Sequence, residues 1–143
     1  MTFLSTHFTF DEAVHSQAAS RAGISNDPPV ELFVNIKKAA YAMELVRLEL
    51  RSNPIKISSW YRSPKVNALV NGAVRSSHMT GFAVDFSCPT FGSPDAIVRA
   101  LIKSSISYRQ VIREFNSWVH IDFSDDARQA LIIDRDGTRE FTA

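Results

Sequence analysis

Between residues 30 and 52 the apolar positions Leu32, Ile36, Ala39, Ala40, Met43, Val46 and Leu50 recur at three- and four-residue spacings. Lys37, Lys38, Glu44, Arg47 and Arg51 fall largely opposite them. That period predicts a long amphipathic helix whose inner face builds the core. Upstream, Thr9-Phe10-Asp11-Glu12 reads as a capping box opening a first helix that Gly23 stops, and Asn26-Asp27-Pro28-Pro29 is a turn. Asn53-Pro54 ends the long helix, and a short strand is expected over 55–60. Residues 64–70 predict a helix with Pro64 in its first turn, followed by the Asn71-Gly72 turn and a polar loop through Ser76 and Ser77. A β-branched and aromatic run over 82–87 predicts a strand, and Ser93-Pro94 caps a helix carrying Ile97, Val98, Leu101 and Ile102.

The remaining alternating runs, 108–115, 118–123 and 131–134, predict antiparallel strands, with turn chemistry at Asn116-Ser117 and Asp136-Gly137. Helices in the first half and strands in the second predict an α+β domain: a small antiparallel sheet with helices packed on it. No repeat or low-complexity linker divides the chain, so residues 1–143 are read as a single domain.

Charge narrows the function classes. A formal net charge of +1 argues against a nucleic-acid binder, and the aromatics are not interleaved with Lys and Arg as stacking platforms require. Cys88 is the single cysteine, which excludes an internal disulfide and a thiolate metal cluster; it is expected as a small half-buried residue. No apolar run approaches the roughly 20 residues of a membrane span. The first residues have neither a basic segment nor a continuous apolar one, so the chain is expected to stay cytoplasmic as synthesised; a monomer is expected.

The chemistry concentrates in two stretches. In Ser76-Ser77-His78-Met79-Thr80-Gly81-Phe82-Ala83-Val84-Asp85, a loop histidine precedes a strand aspartate by seven residues, and Gly81 allows the bend between them. In Trp118-Val119-His120-Ile121-Asp122, alternation sets Trp118, His120 and Asp122 on one strand face. Two histidines and one carboxylate match the ligand set of a catalytic zinc with a position left for water. The first pair alone is unremarkable. His7 and His15 lie outside both stretches and are read as surface or capping residues.

Ser76-x-His78-x-x-Gly81-x-Ala83-x-Asp85 followed by Trp118-x-His120 resembles the D-alanyl-D-alanine carboxypeptidase family of zinc peptidases, which includes bacteriophage peptidoglycan peptidases and shares its fold with the hedgehog signalling domain. The resemblance extends to Ser59-Trp60-Tyr61-Arg62-Ser63-Pro64-x-x-Asn67, to Phe8-Thr9-Phe10-Asp11-Glu12 and to Gly23-Ile24-x-Asn26, covering roughly residues 8 to 123. It implies His78, Asp85 and His120 as zinc ligands, Zn2+ as cofactor, and a water activated by the metal. It also implies Arg62 on the substrate's carboxylate or scissile carbonyl, and Ser76 beside the substrate. The partner implied is a peptidoglycan peptide. The biological setting implied is a phage endolysin, or a virion-borne lytic protein, that reaches the wall through holin-type release.

Many relatives carry an acid three positions before the last histidine, where this chain has Ser117. Others place a glutamate six positions before it, which is Glu114, and Glu114 is therefore read as the general base. That assignment predicts a register. A strict two-residue turn at Asn116-Ser117 would point Glu114 away from His120, whereas a three-residue connection over 115–117 pairs it with Trp118 on the His120 face. The competing reading is a metal-binding structural or recognition module of the same fold that has lost catalysis.

Overall fold

The computed structural model describes residues 2–142. Helix α1 spans Phe10–Val14, and its cap is the expected box: Thr9 Oγ1 accepts from Glu12 N, while the Glu12 carboxylate accepts from Thr9 N. The segment up to Gly23 is not one helix. It breaks at His15, and Ser16 recaps a second helix, α2, over Gln17–Ala22. The break has a cause in hydrogen bonding, because the carbonyls that would continue α1 are taken elsewhere. Ala13 O accepts from Tyr61 N, and Val14 O accepts from the Asn26 amide. Gly23 then closes α2 in the left-handed region, at φ 67°.

A 3₁₀ turn, Val30–Leu32, leads into α3, Phe33–Glu49, which buries Ile36, Ala39, Ala40, Met43 and Val46. Strand β1 is Lys56–Ser59, α4 is Pro64–Leu69, β2 is Ala83–Ser87 and α5 is Pro94–Lys103. The last four strands are β3, Gln110–Glu114; β4, Trp118–Asp122; β5, Gln129–Asp134; and β6, Gly137–Glu140. The sheet order is β1-β2-β4-β3-β5-β6.

The expectation of uniformly antiparallel strands is corrected at one position, since β3 and β5 pair in parallel. Strands β4 and β5 do run in opposite directions, but they lie on either side of β3 rather than side by side. The connection over 123–128 passes the end of β3 at which Gln110 stands. Arg128 anchors that crossing: its amide donates to Tyr108 O, and its guanidinium donates to the carbonyls of Ile106, Ile102 and Ser104 at the end of α5.

One sheet face carries Val84, Phe86, Val111, Val119 and Ile121, which join the α3 and α5 side chains in the core. Cys88 is fully buried in that core, rather than half-buried, and its thiol donates to Pro54 O. The opposite sheet face carries the polar side chains and is where the chemistry lies. Among the described residues, no helix is long and apolar enough to cross a membrane.

Candidate metal centre and catalytic cleft

The β2–β4 register sets Asp85 directly opposite His120, so the two side chains share a face without any contribution from the loops. His78 arrives from a 3₁₀ turn, Ser77–Thr80, that begins with Ser76 Oγ accepting from the His78 amide. Gly81 closes the turn at φ 87°, and a Cβ there would lie 2.7 Å from Ile36 Cγ1. Both the left-handed backbone and the close approach of α3 therefore demand glycine, as the bend expected between His78 and Asp85 requires.

The three residues converge, with one ligand atom from each lying within 4.8 Å of the others. His78 Nδ1 is 2.6 Å from Trp60 O. A carbonyl only accepts, so Nδ1 donates to it, which leaves Nε2 as the atom turned to Asp85. Nε2 faces Asp85 Oδ2 at 3.3 Å, so a cation between them would be shared by both. His120 Nδ1 lies 2.8 Å from Asp85 Oδ1. Two imidazoles and a carboxylate around one point, in a cleft that solvent reaches, fit a divalent metal of the zinc type.

The electrostatics agree with the geometry. Burial alone would push the Asp85 carboxyl up, but hydrogen bonds and charge from His120 and His78 outweigh it and hold the group far below the usual carboxylate range. Burial likewise opposes protonation of His120, yet its bond to Asp85 and the charges of Asp85, Glu114 and Asp122 raise it above the ordinary histidine value.

Arg62 reaches the site and supports it. Its Nη2 lies 3.5 Å from Asp85 Oδ2, its Nε donates to Ser59 Oγ and its Nη1 to Asn67 Oδ1. Those three contacts leave two of the five guanidinium protons for a substrate. Asn67 in turn donates to Ala73 O, and Gly72 packs so closely on it that a Cβ would sit 2.0 Å from Asn67 Oδ1. Asp122 is buried and does not orient a histidine by hydrogen bonding. It accepts from Ser77 Oγ at 2.6 Å and from Ser124 N at 2.9 Å, tying the His78 turn to the end of β4.

Glu114 pairs with Trp118 across β3 and β4, so the connection is the three-residue one over 115–117, with Phe115 and Asn116 both at positive φ. This register turns Glu114 to the His120 face. Burial, then the charge of Asp85, raises its carboxyl above the usual value. A cleft of about 600 Å³ is lined by Arg62, Ser76, His78, Asp85, Glu114, Trp118 and His120 together, so the expected metal-site and catalytic residues meet in one place. Ser76 lines the cleft while its hydroxyl is engaged by the His78 amide.

His7 pairs with Glu44 and His15 caps α1, both away from the cleft. Sequence reasoning missed the Trp60 carbonyl, a backbone acceptor that no residue type announces. It also missed the supporting role of Asn67, although that residue closes the Ser59–Asn67 motif. Arg75 and Arg109 line the cleft too and carried no signal in the sequence.

The sequence model of a family described as Peptidase M15 matches residues 6–122 of the chain. No individual curated protein matches it.

Proposed function

Because this chain belongs to the peptidase M15 family, we propose that it is a zinc peptidase hydrolysing an amide bond in the peptide stem or cross-bridge of bacterial peptidoglycan, as a phage endolysin or related lytic protein. The observation that carries this reading is the convergence of His78, Asp85 and His120 in an open cleft whose next wall presents Glu114. His78 through Nε2, Asp85 through its carboxylate and His120 through Nδ1 would hold the ion. When bound, zinc supplies Lewis-acid polarisation of the scissile carbonyl and acidifies water toward a pKa of about 7.

The protein's own groups do the rest. Glu114 accepts a proton from the attacking water on its carboxylate and delivers it to the nitrogen of the leaving amine, so one group serves as base and then as acid. Its position in a partly desolvated wall beside Asp85 supports that role, because burial and that charge raise its carboxyl above the ordinary value and make it a stronger base. The two free guanidinium protons of Arg62 hold the substrate's carboxylate or the carbonyl oxygen on which charge develops. Its other contacts keep the fork, and with it Asp85, in place.

The test is digestion of purified peptidoglycan by the zinc-equilibrated protein, with the released muropeptides identified by mass spectrometry. New amino termini or released D-alanine identify the bond cut. Tight zinc binding without any released product would support instead the reading of a non-catalytic metal-binding module.

A further inference from the structure

Trp118 carries a donor without a partner. Its indole Nε1 is shielded from water, and among the described residues it makes no hydrogen bond of good geometry. Folded proteins seldom leave a buried N–H unpaired, and one that does so at the wall of a cleft invites a functional explanation. Trp60 shows the ordinary case, its indole donating to Gly81 O at 2.9 Å. Trp118 stands directly across from Glu114, where side chains of an antiparallel pair are in contact range, with Cβ atoms about 4.5–5.5 Å apart. Both line the cleft. The Phe115 ring, 6.0 Å away and tilted by 41°, braces the indole from the loop side. The nearby indole also favours the ionised form of Glu114.

We propose that Trp118 is a positioning residue whose indole N–H holds the Glu114 carboxylate turned toward His78, Asp85 and His120. The inference rests on the reading of Glu114 as the base. A glutamate at a hairpin end has three rotatable side-chain bonds, and a single fixed donor selects the rotamer that faces the site.

The chain has two tryptophans, so a ¹⁵N-labelled, zinc-equilibrated sample gives two indole N–H resonances. Trp118→Phe assigns one of them, and the Trp60 resonance reports on the fold. Glu114→Ala is expected to move the Trp118 resonance upfield and speed its exchange with water while leaving Trp60 unchanged. Trp118→Phe is expected to lower kcat between about tenfold and 100-fold, with KM within about twofold and zinc content unchanged. If the wild type cleaves and the Trp118 resonance ignores Glu114→Ala, or if kcat survives Trp118→Phe, the positioning role is overturned while the base remains. If the wild type cleaves no murein peptide although the resonance answers to Glu114, the base itself fails, and the positioning role fails with it.

Discussion

Glu114 and His120 stand on one face of the sheet because the connection between their strands has three residues and not two. Glu114 pairs with Trp118, and Ile112 with His120, so the side chains of Glu114 and His120 alternate onto the same side. Phe115 and Asn116 accept left-handed backbone to make that turn, at φ 51° and 49°. The strain is tolerable for asparagine and less so for phenylalanine. A hairpin one residue shorter would send the carboxylate into the helix-facing side.

The base should therefore be separable from the metal. Glu114→Gln keeps the side-chain volume and touches none of the three ligand residues. We expect zinc stoichiometry equal to wild type, with kcat on a murein peptide lower by about 10²- to 10⁴-fold. Metal analysis and steady-state kinetics on the same preparation check both halves.

Activity should fall on the acid side at a higher pH than a free glutamate would dictate. Burial, and then the charge of Asp85, raises the Glu114 carboxyl. As pH drops through that raised value the group becomes protonated and can no longer take a proton from water. At saturating zinc, the acidic limb of kcat/KM in wild type, absent from the residual activity of Glu114→Gln, is the profile to measure.

Metal binding should release protons and weaken in acid. His120 is raised above the ordinary histidine value, through its bond to Asp85, against the opposing effect of burial. The imidazolium must lose its proton before Nδ1 can ligate, so zinc affinity falls as pH drops below that raised value. Calorimetry in buffers of different ionisation enthalpy counts the protons. Zinc at 100 times its Kd should stabilise the fold by about 2.7 kcal/mol, and Asp85→Ala should abolish that gain.

Gly81→Ala is expected to cost about 1–3 kcal/mol of stability. The new Cβ would sit in a left-handed backbone and press on Ile36 Cγ1 at 2.7 Å. Because the same turn carries His78, zinc affinity should drop along with the denaturation midpoint, which urea unfolding with and without zinc measures.

How far these features were legible in the sequence depends on how local their causes are. The capping box at Thr9, the Ser93-Pro94 start of α5 and the long period of α3 rest on contacts within a few residues, and they read correctly. The break at His15 did not, because it depends on Tyr61 and Asn26 taking carbonyls from a distance. The parallel pairing of β5 was hidden for a similar reason: alternation predicts a strand but not that β3 will lie between it and β4. In the cleft, side chains of telling type were visible as a pattern. The Trp60 carbonyl that fixes the His78 tautomer was not, since every residue has one.

The most direct test of the account is a matched digestion of purified peptidoglycan by wild type and Glu114→Gln at equal zinc content, with free amines counted over time. The account predicts steady release of new amines by wild type, its loss on chelation and its recovery with zinc, and at most about a hundredth of the rate from Glu114→Gln. Equal rates from the two proteins would contradict the assignment of Glu114, and no release by zinc-loaded wild type would contradict the enzyme itself.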